Sequence, residues 1–249
     1  KYEIKLVFIA KKNLDKSILK YFKNKFDFKI VNNVNVLNVY NLIKKNTIDV
    51  NIIAGFPYIF KDKIINSSKF GTINLHAGKL PKYRGGSPLN WQIINNEKKI
   101  GLSIIKITKK LDKGPLLSRI SFIIKKTDNI NTIKLKSYKF FKKIVIKSID
   151  NLISNKFIKL NYNKGSYFKQ RNKKDSEIFF KNMTDVQVFN LVRASSYPYY
   201  SYYKKNNKRF FLKKVEISTT KLFEKPGSII NKKKFVLIKC KKGSIKVLR

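Results

Sequence analysis

Residues 71–114 decide the fold: GTINLHAGKLPKYRGGSPLNWQIINNEKKIGLSIIKITKKLDKG. The apolar run that ends in Asn74 and His76 predicts a strand, and side chains two apart in a strand lie on the same face. Asp112 follows the next predicted strand, at 101–108. If the chain brings these three residues together, they supply an amide donor, a proton shuttle and a carboxylate that orients and charges the imidazole.

Each of these residues also has an ordinary structural interpretation. An Asn at a strand end is usually a turn former, and an LDxG sequence is usually only a turn. A lone histidine is more often structural than catalytic, and His76 is the only histidine of the chain. On spacing alone, the structural and the catalytic interpretations both stay open.

The first half of the chain alternates between two periods. The predicted strands are 3–10, 28–31, 49–55 and 71–76, and the predicted helices are 13–26 and 36–45. This alternation is typical of βαβ units around a mostly parallel sheet, which binds ligands outside the carboxyl ends of its strands. The chain has no GxGxxG or P-loop sequence, which argues against a dinucleotide-dependent dehydrogenase and a P-loop NTPase.

The rest of the chain predicts further helices and a second domain. Ser87 at the N-cap and Pro88 open a predicted helix, and another is expected at 131–155. The helix predicted at 183–194 would turn four side chains inward, namely Val186, Phe189, Leu191 and Val192. Short apolar runs follow it and indicate a small β-barrel. The predicted division is a first domain at 1–158, a linker at 159–175 and a C-terminal domain at 176–249.

The charge is strongly one-sided, with 57 Lys+Arg against 14 Asp+Glu and a net charge of +43. A basic surface attracts phosphate, so a polyanionic partner is one interpretation. However, 51 of these residues are Lys, and Arg, whose planar fork reads phosphates and bases, is scarce. Lys, Asn, Ile, Phe and Tyr all have codons made only of A and T. We therefore favour a solvated lysine surface produced by codon bias, with a nucleic-acid partner as the alternative.

The chain's single cysteine and single histidine limit its site chemistry. They exclude a disulfide scaffold and a zinc site built only of Cys and His, which needs about four ligands, so we expect no metal. Cys240 lies in an apolar run and is predicted to be core. No apolar run approaches the roughly 18 residues of a membrane span, and the apolar stretch in KYEIKLVFIA is too short for a signal peptide. We expect a cytoplasmic protein.

The motif at 71–114 closely resembles the signature of the 10-formyltetrahydrofolate-dependent formyltransferases, whose members include methionyl-tRNA formyltransferase and the amino-sugar N-formyltransferases. Asn74, His76 and Asp112 fall on the catalytic Asn-x-His and Asp of that family. The resemblance covers nearly the whole chain. It implies a Rossmann-like formyltransferase domain with an open-barrel C-terminal domain, 10-formyltetrahydrofolate as co-substrate, and a primary amine as acceptor.

The resemblance also implies binding residues. AGFPYIF at 54–60 matches the folate-side loop, and LPKYRG at 80–85 matches the loop that faces the substrate. The folate-binding residues implied are Tyr58, Ile59, Phe60, Thr108, Lys109, Lys110 and Leu111, and the substrate-loop residues are Lys82, Tyr83 and Arg84. The chain departs from the family at three positions, Gly78, Gly86 and Pro115, which bears on substrate or folate affinity.

Members of the family differ in the amine that they formylate, and three features of the sequence bear on this choice. SPLNWQIIN at 87–95 and NLVRASSYPY at 190–199 most resemble enzymes that formylate 4-amino-4-deoxy sugars on nucleotide carriers. Methionyl-tRNA formyltransferases typically insert a basic, Gly-rich loop after the first strand and helix, and the 73 residues before Asn74 contain none. We therefore expect a nucleotide-linked amino sugar, with methionyl-tRNA as the alternative and glycinamide ribonucleotide third.

A non-enzyme hypothesis also stays open, in which a basic barrel protein binds RNA on an inactive scaffold. The aromatic residues that could stack on bases are Tyr199, Tyr200, Tyr202, Tyr203, Phe210 and Phe211. Such residues are more often part of a core or a sheet face. A complete Asn-His-Asp set argues against this hypothesis, because a binding protein does not need all three residues.

Overall fold

The computed structural model describes residues 2–14, 16–23 and 25–248. These residues form two compact units, each assembled from separated stretches of chain. The first comprises the described residues up to 76 with 103–119 and 144–160, and the second comprises 77–102, 120–143 and the described residues from 161 onward. The domain boundaries expected from composition, at 158 and 176, stay a prediction.

The first unit begins with alternating strands and helices, as expected. They are β1 (Val7–Ala10), α1 (Lys16–Phe22), β2 (Phe28–Val31), α2 (Leu37–Lys45), β3 (Asn51–Ile53), α3 (Asp62–Ile65) and β4 (Thr72–His76). β1 pairs with β2 and β3 pairs with β4, both in parallel register. Val39 and Ile43 of α2 pack with Ile64 in a buried cluster. The first helix is shorter than the predicted 13–26, because its last helical residue is Phe22.

A four-stranded sheet holds the end of β4 in place. Its order is β3–β4–β6–β7, where β6 is Lys99–Lys106 and β7 is Leu116–Ile123, and β4 and β6 run antiparallel. Residues 100–105 of β6 are buried without interruption, as expected for an apolar strand with a neighbour on each side. After β7 comes the long helix α5 (Ile130–Ile153), close to the predicted 131–155. The Asn129 side chain accepts a hydrogen bond from the Thr132 N–H at the start of α5.

The second unit contains the loop after His76 and the segment expected to be a linker. β5 (Arg84–Gly85) pairs in parallel with β8 (Tyr167–Phe168), so this segment forms regular structure. The predicted helix after Pro88 is α4 (Pro88–Ile94). Ser87 is the N-cap residue and Pro88 lies in the first turn, as predicted, but the Ser87 side chain makes no capping hydrogen bond and instead accepts one from the Arg171 backbone N–H at 3.2 Å.

Helix α6 (Asp185–Arg193) begins with a reciprocal pair of hydrogen bonds. Thr184 accepts a bond from the Gln187 backbone, and the Gln187 side chain accepts one from the Thr184 backbone. Leu191 and Val192 are buried as predicted, and Phe189 is half-buried. The prediction for Val186 is wrong, because 36% of it is exposed, and Val188 occupies the buried position. Residues 188, 191 and 192 share one face at the helical period, and 186 does not.

The remaining strands of the second unit are antiparallel. β9 (Ser201–Lys205) and β10 (Lys208–Leu212) form a hairpin. A four-stranded sheet has the order β11–β14–β13–β12, with bounds Glu216–Ser218, Ser244–Leu248, Phe235–Lys239 and Ile229–Asn231. Cys240 is fully buried in a cluster with Ile238, Ile245 and residues of α6, which confirms its place in the core. With the Rossmann-like first half, these strands confirm the predicted fold class of an α/β domain with a small barrel-type C-terminal domain. Among the described residues, no helix is long and apolar enough to cross a membrane.

Candidate active site

His76 is the last residue of β4, and Asn74 precedes it by two residues. His76 lies opposite Ser103 in the β4–β6 ladder, and Asn74 lies opposite Ile105. The period of two places both side chains on one face of the sheet. His76 is buried and Asn74 is half-buried. Because β4 has a neighbour on each side, the backbone that carries these two residues is held from both edges.

Asp112 comes to His76 from the turn between β6 and β7. The distance from His76 Nδ1 to Asp112 Oδ1 is 3.6 Å, and only 5% and 8% of the two side chains are exposed. This distance is longer than a hydrogen bond, and it places the carboxylate directly beside the imidazole ring. The structure therefore brings two of the three predicted catalytic residues together and places the third on the same strand.

The turn that carries Asp112 depends on its glycine. Lys106 N–H donates to the Pro115 carbonyl at 3.0 Å and closes the turn at its base. A Cβ on Gly114 would lie 1.7 Å from the Lys106 carbonyl oxygen, so no other residue fits without movement of the backbone. Asp112 itself has a φ of +49°, in the left-handed region that costs energy for a residue other than Gly. The LDxG sequence is thus a structural requirement for the position of the carboxylate.

The first predicted folate segment, 58–60, lies in an aromatic cluster. The ring of Phe56 lies 5.8 Å from that of Tyr58 and 5.4 Å from that of Phe60. Phe60 also packs against the buried cluster around Val39, which gives it a structural role. Ile59 is 78% exposed, although it is apolar. Of the three residues, Ile59 is therefore the most available for contact with a ligand.

The second predicted folate segment, 108–111, forms an ion pair with Asp62, the first residue of α3, which follows the first segment by two residues. Lys109 Nζ lies 2.8 Å from Asp62 Oδ2, and this hydrogen bond raises the pKa of the Lys109 ammonium. Thr108, Lys110 and Leu111 are exposed. The two segments thus present two exposed apolar side chains, Ile59 and Leu111, beside polar loop backbone.

Asn35 is a residue of this region that sequence reasoning missed. Its side-chain amide donates to the Ile59 carbonyl at 2.8 Å and accepts from the Lys61 N–H at 2.7 Å, so it fixes the backbone of the first folate segment. Nothing in the sequence distinguishes it from the other asparagines, of which the chain has 26 in all.

The three predicted substrate-loop residues differ in accessibility. Lys82 is exposed and Arg84 is half-buried, with its guanidinium 5.8 Å from the centre of the Tyr162 ring. Tyr83 is buried and stacks on Phe168, with ring centres 5.2 Å apart. Burial, and then the 2.6 Å hydrogen bond from its hydroxyl to Glu97, raise the pKa of Tyr83 to about 12. Tyr83 therefore holds the loop together, and contact of all three residues with substrate stays a prediction.

In the part of the chain that the structure describes, no group of three or more His, Cys, Asp or Glu residues could hold a metal ion.

Comparison with known proteins identifies two family profiles along the chain. The profile described as formyl transferase matches residues 10–149, and the profile for the formyl transferase C-terminal domain matches residues 171–249.

Sequence comparison finds relatives under two different names. It is 32% identical over 238 residues to the bifunctional polymyxin resistance protein ArnA of Wigglesworthia glossinidia brevipalpis, covering 92% of this chain and 35% of that one. It is 28% identical over 241 residues to the methionyl-tRNA formyltransferase of Mesoplasma florum, covering 96% of this chain and 77% of that one. This chain thus spans about a third of ArnA and three quarters of the Mesoplasma protein.

Among solved structures, the fold is similar to that of the N-formyltransferase of Helicobacter canadensis in complex with folinic acid and dTDP-3-aminofucose. The TM-score is 0.66 at 20% identity, and 99% of each chain is covered.

Proposed function

Because this chain belongs to the formyl transferase family, we propose that it transfers a formyl group from 10-formyltetrahydrofolate to a primary amine. The observation that carries the proposal is the buried pair of His76 and Asp112, 3.6 Å apart at the end of a central strand with Asn74 beside it. A protein that only binds RNA has no use for this pair, so the geometry favours the enzyme over the inactive scaffold.

The proposed reaction begins with attack by the neutral amine on the formyl carbon. The carbonyl oxygen becomes negative, and the Asn74 amide with the protonated His76 would donate hydrogen bonds to it. Asp112 would orient the imidazole and stabilise the positive charge that it carries in the transition state. As the bond between carbon and folate nitrogen breaks, His76 would give its proton to that nitrogen, and the proton released by the amine would return through water or Asp112. Tetrahydrofolate and the N-formyl product leave with atoms and charge balanced.

The formyl donor would bind along the two segments at 58–60 and 108–111. Ile59 and Leu111 would lose exposed apolar surface against the pterin, and the loop backbone would supply hydrogen bonds. Asn35 and the Lys109–Asp62 ion pair would keep the segments in position.

As acceptor we propose the amino group of a nucleotide-linked amino sugar. The resemblance of residues 87–95 and 190–199 to enzymes acting on such sugars supports this choice. The longest described connection between β1 and β4, at 54–61, is the folate-side segment and not a basic Gly-rich insertion. A loop of that kind would be the expected grip on an acceptor stem.

Methionyl-tRNA is the second candidate acceptor. It is favoured by the 28% identity to a methionyl-tRNA formyltransferase over 96% of this chain, and by a charge of +43 that would attract any polyanion.

One experiment tests donor and acceptor together. Melting temperature is measured with saturating 5-formyltetrahydrofolate, which would stabilise the fold by about 2.7 kcal/mol at 100 times its Kd. Formyl transfer from 10-formyltetrahydrofolate is then measured with a panel of nucleotide amino sugars and with methionyl-tRNA, both at about 0.15 M salt. We expect a folate shift and turnover with an amino sugar. If only methionyl-tRNA is formylated, methionyl-tRNA is the acceptor and the amino-sugar proposal is wrong. If the folate does not raise the melting temperature and no acceptor is formylated, the proposed function is refuted.

A further inference from the structure

Gln92 is a buried polar residue on α4 for which the proposed reaction has no direct use. We infer that Gln92 is a positioning residue that fixes the strand end from which His76 acts. This inference rests on the proposed function only for its kinetic consequence, because the geometry it describes belongs to the fold.

The Gln92 amide makes hydrogen bonds with several backbone groups. Only 1% of Gln92 is exposed. Its Nε2 donates to the Ala77 carbonyl at 2.9 Å and to the Pro88 and Gly101 carbonyls at 3.3 Å each, and its Oε1 accepts from the Gly101 N–H at 2.7 Å. Ala77 is joined to His76 by a peptide bond. One side chain therefore holds the residue that follows the proposed catalytic histidine.

The bonds to Gly101 resemble a rung of a β-ladder. The register of β4 against β6 is described up to the pair His76 and Ser103, and β4 ends there. Two residues further along β6, both backbone groups of Gly101 bond to the Gln92 amide. The Gln92 amide therefore bonds to Gly101 where β4 would do so if it continued beyond His76. The same amide also bonds to the carbonyl of Ala77, the first residue after β4.

Close packing at Gly101 leaves little freedom for this arrangement. A Cβ on Gly101 would lie 2.3 Å from the Cβ of Lys79, so the chain after Ala77 passes directly over the glycine. If the Gln92 amide is lost, the Ala77 carbonyl and the Gly101 N–H lose these bonds in a buried place, and the backbone must move to find other partners. Because the reacting groups must be held to within a fraction of an ångström, such a movement lowers the rate of transfer.

The test compares Gln92→Met with Asn151→Leu. Methionine keeps the length of the side chain and removes the amide. Asn151 is a half-buried amide on α5 whose Nδ2 donates to the Leu117 carbonyl at 2.8 Å, and it is outside the proposed catalytic and binding residues. Both substitutions lower the melting temperature. We expect only Gln92→Met to lower kcat, by about 10- to 100-fold, with the KM for the folate donor unchanged.

A second readout does not need activity. His76 is the only histidine, so the Cε1–H group of its imidazole gives one unambiguous resonance in a ¹³C-labelled NMR spectrum. We expect this resonance to move in Gln92→Met and to stay in place in Asn151→Leu. If Gln92→Met does not fold, the same measurements are made on Gln92→Glu, which keeps the acceptor for Gly101 and loses the donor to Ala77.

The outcomes separate the two proposals. A moved resonance with an inactive wild type would refute the proposed function and leave the positioning role intact. An unmoved resonance, or a kcat within twofold of the Asn151→Leu value in an active enzyme, would overturn the positioning role.

Discussion

Asp112→Asn is the substitution that most directly tests the candidate site. Asparagine has the same shape as aspartate and can occupy the same turn, and Asn tolerates the left-handed backbone at this position well. What is removed is the negative charge beside His76. The expected result is a large fall in kcat with a small change in donor affinity, because the proposed donor contacts are made by other residues.

The magnitude follows from the distance between the two groups. For unit charges 3.6 Å apart, an effective dielectric constant of about 20 gives an attraction of about 4–5 kcal/mol. Where it stabilises the transition state of the proposed reaction, that energy corresponds to about 10³ in rate. The Asn side chain recovers part of it through its carbonyl dipole, so we expect kcat to fall by about 10²- to 10³-fold.

The assay is single-turnover formyl transfer from 10-formyltetrahydrofolate to an amine that the wild type formylates. Asp128→Asn is the matched control, because it also removes a buried carboxylate with a basic partner, Lys136, but in the other compact unit. His76→Asn combined with Asp112→Asn should lose much less than the product of the single effects, since the pair acts as a unit. A rate for Asp112→Asn within threefold of the wild type would show that the carboxylate has no catalytic role.

Three further predictions concern the fold. Burial alone would raise the pKa of Asp128, but hydrogen bonds from Lys136 and the Lys125 N–H outweigh burial and lower it. The free energy of unfolding in urea should therefore contain a contribution that is present above pH 4 and lost on acidification, and this loss should be smaller in Asp128→Asn. Burial raises the pKa of Cys240 to about 12, so the native thiol should resist thiol reagents at pH 8, and rapid labelling of the folded protein would contradict this. Cys240→Ser should lower the free energy of unfolding by about 1–3 kcal/mol without loss of kcat. Gly114→Ala should lower both melting temperature and kcat, because the added Cβ meets the Lys106 carbonyl, and a variant with wild-type kcat would show that the turn adapts.

The elements of the fold could be predicted because local pattern and burial agree in most of the chain. β4 and β6 are apolar runs bounded by polar or turn residues, and they are buried in the sheet as their composition predicts. Asp112 could be assigned to the site only through the resemblance, because its approach to His76 depends on how the β6–β7 turn folds, and spacing along the chain carries no such information.

Side-chain contacts were harder to predict than elements. Ser87 is at the predicted N-cap position, but its hydroxyl accepts from the Arg171 N–H, 84 residues away in the chain, and does not cap the helix. Asn35 and Gln92 act through amides that bond to backbone outside their own element, 24 and 26 residues away for Asn35 and 15 and 9 residues away for Gln92. An amide in a loop or a helix has no sequence signature for such bonds. The hydrophobicity of Val186 predicts that it faces the core, but Val188 and Leu191 define the buried face of α6, and Val186 does not lie on that face.

The net charge and the site lead to separate conclusions about function. Acidic residues are scarce, with 14 in the chain, yet several of them make specific buried or half-buried contacts: Asp112 with His76, Glu97 with Tyr83, Asp128 with Lys136 and Glu177 with Tyr202. The lysines that produce the charge of +43 are mainly exposed, and their attraction for a polyanion is screened by salt. Formyl transfer to a small amine should therefore change little between 0.05 and 0.3 M salt, whereas transfer to methionyl-tRNA should fall steeply. Both candidate acceptors undergo the same chemical step. The salt dependence of kcat/KM therefore shows whether the basic surface binds the acceptor, and the His76 and Asp112 variants show whether these residues catalyse the transfer.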